Sequence, residues 1–124
     1  MKTVIIGATP NPSRYAFIAA KMLDEGNFEF VPVGIKSGKI FGRAILDLRE
    51  KPTIEDVHTV TLYIGPQNQP EWYDYMLSLN PKRIIFNPGT ENSEFMDIAK
   101  KNGAEVEAAC TVVLFFNNSY WVLF

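Results

Sequence analysis

Within its first 26 residues the sequence changes period once. Lys2–Ile6 (KTVII) is a β-branched run ended by Gly7, the pattern of a buried strand. Beyond it, Tyr15, Ile18, Ala19, Met22 and Leu23 recur at i, i+3, i+4, i+7 and i+8, one apolar face of a helix. Asn11 can cap that helix, Pro12 suits its first position, and Gly26 stands where it would stop. A strand that runs into a helix returns to a parallel neighbour with the helix packed across the sheet.

The alternation continues. Phe28–Val33 reads as a second strand, followed by a glycine- and lysine-rich loop from Gly34 to Gly42 (GIKSGKIFG). Val57–Ile64 reads as a strand ended by Gly65-Pro66. A helix is predicted from about Pro70 to Leu79, with Trp72, Tyr75, Met76 and Leu79 on one face. Arg83–Phe86 is a short strand closed by Asn87-Pro88-Gly89. Ser93 or Asn92 can cap a helix through Lys101, with Phe95, Ile98 and Ala99 inward and Gly103 as its stop. Glu105–Ala108 reads as a last parallel strand. This order predicts an α/β three-layer sandwich, a mostly parallel sheet of about five strands with helices on both faces. The tail TVVLFFNNSYWVLF has two readings, a hairpin turning at Asn117-Asn118 or a short helix followed by an edge strand. Its apolar density predicts packing on the core or on a second subunit, and the second outcome would make a homodimer through this tail.

At 124 residues the chain is read as one domain, 1–124, and 47% hydrophobic with 21% charged residues is an ordinary globular composition. The net charge of −2 offers no electrostatic case for nucleic acid. Cys110 is the one cysteine, so no internal disulfide forms and a reducing, cytoplasmic setting is expected. The apolar run at the start is too short for a signal peptide, and no stretch reaches membrane-spanning length.

The segment Gly7-Ala8-Thr9-Pro10-Asn11-Pro12-Ser13-Arg14 links the first strand to the first helix. In open α/β sheets ligands sit at the carboxyl ends of the strands, and a helix start attracts phosphate through unpaired N–H groups and its dipole. Gly7 lets the chain turn off the strand. The dinucleotide pattern G-x-G-x-x-G is absent, and two prolines remove donors at positions 10 and 12. The amides of Ala8, Thr9, Asn11, Ser13 and Arg14 remain as candidate donors, with the side chains of Thr9, Asn11, Ser13 and Arg14 beside them. An ordinary capped strand–helix connection has the same composition.

After the second strand, dinucleotide-binding domains that take NAD place an acid for the ribose hydroxyls. Here the chain reads Val33-Gly34-Ile35-Lys36-Ser37-Gly38-Lys39. Lys36 and Lys39 suit a phosphate on the adenosine ribose, as in coenzyme A (3′) or NADP (2′), and also suit a solvated surface loop. Tyr63, Gly65 and Pro66, at the end of the Val57–Ile64 strand, would border the same crevice and could lie against adenine; Gly-Pro also makes an ordinary turn.

Catalytic chemistry is sparse. His58, the one histidine, starts a predicted strand and so falls on the side away from the ligand end. One histidine and one cysteine make a poor metal set. Cys110 could face the crevice as a thiol or serve as a small buried residue. Asp24/Glu25 and Glu55/Asp56 are sequence neighbours that do not share a face.

Together the three segments resemble small CoA-binding proteins, whose single domain is similar to the CoA-binding domain of the succinyl-CoA synthetase α-subunit. The likeness runs from about Lys2 to Cys110, and IIGATPNPSRYAF is similar to the family's G-A-S/T-x-x-P-x-R stretch. FVPVG resembles its second strand, with Gly34-Ile35 in place of Asn-Pro, and NPGTENSEF its glycine-then-glutamate turn. Cys110 matches a family cysteine, but apolar Thr111–Phe116 replaces the charged residues usual after it. The resemblance implies a Rossmann-like fold that binds coenzyme A through its ADP part, and implies no reaction. The expected function is a non-catalytic or regulatory CoA-binding module. The alternatives are an NADP-binding oxidoreductase and a degenerate Rossmann interaction domain.

Overall fold

A computed structural model describes residues 1–118 and 120. In chain order the elements are β1 (Lys2–Ile6), α1 (Tyr15–Glu25), β2 (Phe30–Gly34), β3 (Lys39–Ile40), β4 (Arg43–Ala44), β5 (Leu46–Asp47), β6 (Val57–Leu62), α2 (Tyr73–Ser78), β7 (Arg83–Phe86), α3 (Ser93–Lys101), β8 (Glu105–Ala108) and α4 (Thr111–Phe116). Six strands form one sheet in the order β5-β2-β1-β6-β7-β8, every pair parallel. Register is set by pairs such as Ile5 with Pro32, Val4 with Val60 and Ile84 with Val106.

The two faces of the sheet differ in chemistry. One presents Val4, Ile6, Val60, Leu62, Ile84 and Phe86 to Trp72, Tyr75 and Met76 at α2 and to Phe95 and Ala99 of α3. Fully burying each such side chain stabilises by roughly 1.5–3 kcal/mol, so this layer is the main hydrophobic core. The other face presents Ile5, Phe30 and Ile85 to Ala16, Ala20 and Leu23 of α1. Between these lie Thr3, Thr59, Thr61 and Arg83, each fully buried.

Four local expectations change. The sheet has a sixth strand, because Leu46–Asp47 pairs with Val33 and Gly34. The stretch read as a loop from Gly34 to Gly42 enters a hairpin, β3–β4, whose turn is Phe41 (φ 50°) and Gly42 (φ 81°). Two-residue strands are too short to show a period. The first helix starts at Tyr15 rather than Pro12, since the Asn11 carboxamide accepts from Ser13 N (3.0 Å) and Oγ (2.8 Å) and closes a turn of its own. Residues Pro70–Trp72 form a 3-10 turn, and the regular helix follows at Tyr73. Trp72, Tyr75, Met76 and Leu79 are buried as their spacing predicts. Asn92 caps α3 by accepting from Phe95 N at 3.1 Å. In the tail, a helix replaces the hairpin reading, with Asn118 at φ 54° after it. Position 119 and positions 121–124, where the edge-strand reading falls, lie outside the described residues. No helix among the described residues is long and apolar enough to cross a membrane.

Candidate functional site

Chain order runs outward from β1 in both directions, to β2 on one side and to β6 on the other. The crevice of a doubly wound sheet opens at such a point, beyond the carboxyl ends of the strands. The three segments singled out in the sequence meet there. A Cβ on Gly7 (φ 98°) would lie 3.0 Å from the Tyr63 carbonyl carbon, and one on Gly34 would lie 2.6 Å from Ala8 O. Gly38 faces Pro10, whose Cγ would be 3.5 Å from a Cβ there. Hydrogen bonds lock the arrangement: Gly7 N and Ala8 N both donate to Val33 O (2.9 and 3.0 Å), and Tyr63 N donates to Ile6 O (2.8 Å).

The donors differ from the expected set. Ala8 N is turned to Val33 O, Asn11 N to Thr9 Oγ1 (3.2 Å), Ser13 N to Asn11 Oδ1 (3.0 Å) and Arg14 N to Asn11 O (3.1 Å). Four of the five amides assigned to a ligand are thus already used, one by β2 and three by turns within the loop, of which only the Ser13 bond belongs to the Asn11 Asx turn. Thr9 N keeps its freedom. The first two amides of α1, Tyr15 and Ala16, join it, since Arg14 at the N-cap provides no side-chain bond and the first helical bonds begin at Phe17 N and Ile18 N, both to Arg14 O.

Arg14, Lys36 and Lys39 are exposed, on the segments that follow β1 and β2. Gly65 and Pro66 are half-buried at the β6 side of the crevice. Val33 takes part through its carbonyl alone, its side chain being in the core. Tyr63 is not the open adenine platform expected. Its hydroxyl is buried, and burial pushes the phenol well above its ordinary range.

Sequence reasoning missed the residues that hold the crevice walls. Asn87 donates to Thr61 Oγ1 (2.8 Å) and Leu62 O (2.9 Å) and accepts from Thr111 N (2.8 Å), joining β6, β7 and the start of α4. Gln69, fully buried, donates to Ile64 O and Thr90 O (both 2.8 Å) and accepts from Asn92 Nδ2 (2.9 Å). It stitches the loop after β6 to the loop after β7. The one available hint was a polar residue beside a Pro or Pro-Gly break, which reads equally well as a surface turn.

His58 lies at the opposite end of the strands, as its place at the start of β6 predicts. It lines a hollow of about 460 Å³ with Lys2, Glu29, Asp56, Asn80 and Lys82. Burial, then the positive charges of Arg83 and Lys82, hold its pKa below the ordinary 6.5. A depressed histidine pKa means the fold favours the neutral ring. That contribution to stability is therefore complete above pH 6.5 and is lost as pH falls from 6.5 toward the folded value. NMR titration of this single imidazole is expected to give a midpoint below 6.5, and His58→Gln should flatten the stability profile across that window. A midpoint at or above 6.5 contradicts the assignment.

An all-parallel sheet wound outward from a central switch point, with helices on both faces, defines an α/β domain of the Rossmann type. Within that class the chain belongs to the CoA-binding domain family, whose model matches residues 1–115. Among solved structures, one described as an uncharacterized protein is 52% identical, with a TM-score of 0.92, 95% of this chain and 96% of that one being covered. A protein from Thermus thermophilus shares the fold at 23% identity, with a TM-score of 0.84 and coverage of 94% and 88%. A conserved hypothetical protein from Pyrococcus furiosus is 28% identical, with a TM-score of 0.75 and coverage of 90% and 97%. No curated protein sequence matches the chain.

Proposed function

We propose that this chain binds coenzyme A through its ADP part at the carboxyl ends of β1 and β6, as a binding or regulatory module rather than a catalyst. The observation that carries the reading is the set of unspent amides at Thr9, Tyr15 and Ala16, beside Arg14, in a chain of the CoA-binding domain family. The diphosphate is held by these N–H groups and the positive end of the α1 dipole. Lys36 and Lys39, held near the first loop by the Gly38–Pro10 approach, take the ribose 3′-phosphate. Adenine lies toward Gly65 and Pro66.

Calorimetry with CoA, dephospho-CoA, ADP, NADP and NAD tests this. CoA is expected to bind tightest. Losing the 3′-phosphate should weaken binding about 10- to 100-fold, the worth of a charge-assisted contact. The variant with Lys36→Ala and Lys39→Ala should then bind CoA and dephospho-CoA alike. NADP binding tighter than CoA would move the reading to an oxidoreductase cofactor site, and silence toward all five ligands would remove the nucleotide reading.

A further inference from the structure

We infer that α4 and Tyr120 form a strap that opens and closes as a unit over the polar face of the sheet while the rest of the fold stays intact. The argument starts from the asymmetry of the two faces. The α2/α3 side is uniformly apolar, as a permanently covered layer should be. On the other side, four buried polar side chains of the sheet reach the C-terminal segment directly. Thr3 Oγ1 pairs with the Tyr120 hydroxyl, Arg83 Nη1 donates to Tyr120 O (2.7 Å), Thr61 Oγ1 meets Thr111 Oγ1 (2.7 Å), and Asn87 Oδ1 accepts from Thr111 N (2.8 Å).

These contacts form two clamps. One, at Thr61 and Asn87, lies near the carboxyl ends of β6 and β7; the other, at Thr3 and Arg83, lies near the starts of β1 and β7. Thr3, Thr61, Arg83 and Asn87 are groups that water can satisfy once uncovered, so opening costs less there than on a wholly apolar face of equal area. The apolar side of the strap rests on α1 and Phe28: Leu114 and Phe115 pack on the cluster that holds Ala16 and Ala20, and the Phe115 ring stands 5.9 Å from Phe28. Opening therefore uncovers the flank of the helix whose first turn faces the crevice. In this respect the inference rests on the proposed CoA site: a ligand held by the Tyr15 and Ala16 amides favours the closed strap, and the closed strap favours the ligand by the same factor.

Native-state hydrogen exchange tests the strap without any ligand. The amides of Thr111, Leu114 and Asn117 are expected to exchange together, on the order of 100-fold faster than those of Val4, Val60 and Ile84, with little dependence on low denaturant. Tyr120→Phe, which removes the bond to Thr3 and keeps the ring, should speed the α4 amides further and leave the central strands unchanged. One common rate and denaturant dependence for α4 and the sheet, or equal acceleration of both by Tyr120→Phe, overturns the strap. Where calorimetry has shown CoA to bind, saturating CoA should slow α4 exchange; an unchanged rate overturns the coupling. Failure of CoA to bind strikes the proposed function and leaves the ligand-free exchange result standing.

Discussion

Gly7→Ala is expected to lower stability by about 2–4 kcal/mol, with Gly34→Ala costing about 1–3 kcal/mol. The mechanisms differ. Gly7 has φ 98°, where a side chain meets backbone strain of roughly 1–2 kcal/mol, and its Cβ would press within 3.0–3.2 Å of Tyr63. Gly34 has no such strain, but its Cβ would come 2.6 Å from Ala8 O, a backbone atom. Ala8 cannot swing aside freely, because its own N–H is tied to Val33 O. Gly103→Ala is the control, with φ 94° and open space around it, so it isolates the cost of the dihedral. Denaturant midpoints compare the three. Gly7→Ala no worse than Gly103→Ala would mean that β1 and β6 do not approach as described. If the crevice is the ligand site, Gly34→Ala should also weaken CoA binding, since it forces apart the loops that bring Lys36 toward Arg14.

That approach explains one departure from the family pattern. Asn-Pro would follow Val at the end of β2 in the resembled sequences, and here it is Gly34-Ile35. The sequence shows the substitution but not its reason, which lies in a contact between residues 26 positions apart. Long apolar runs such as Lys2–Ile6 and Val57–Leu62 were legible because a buried parallel strand needs little but β-branched bulk. The faces of α1 and α3 were legible because 3.6-residue spacing leaves one stripe. Asn11 was misplaced as a cap because Asn-Pro-Ser serves an Asx turn as readily as a helix start, and only the direction of one carboxamide decides. That choice took Ser13 N out of the donor set and moved the helix start to Tyr15, so that Thr9 N, already expected, is joined by Tyr15 N and Ala16 N. The polar stripe was hidden for another reason. Threonine or arginine in a strand reads as solvent-facing, and the residue that buries Thr3 and Arg83 is Tyr120, near the far end of the chain.

Arg83→Ala should cost about 3–5 kcal/mol, the worth of a large, fully buried side chain replaced by a void together with its donors to Thr59 and Tyr120. The guanidinium is fully buried; its Nε donates to Thr59 Oγ1 at 3.1 Å, its Nη1 to Tyr120 O, and it stands 4.5 Å from the centre of the Tyr120 ring. Burial is the leading cause that lowers its pKa, so the fold sustains a real desolvation cost to keep the charge there. Truncation to alanine leaves a void and removes the donor to Tyr120 O. Arg83→Met fills the volume and sheds the charge, so it should recover at least half of the loss, although Tyr120 O still lacks that donor. Urea unfolding of both variants separates the two contributions. A methionine variant as unstable as the alanine variant would show that the hydrogen bonds and ring contact of the guanidinium outweigh its desolvation. In either variant the clamp on Tyr120 keeps only its Thr3 bond, so exchange of the Thr111, Leu114 and Asn117 amides should rise even where Arg83→Met restores global stability. That dissociation is what separates a strap held by polar contacts from a C-terminal helix that is simply part of the core.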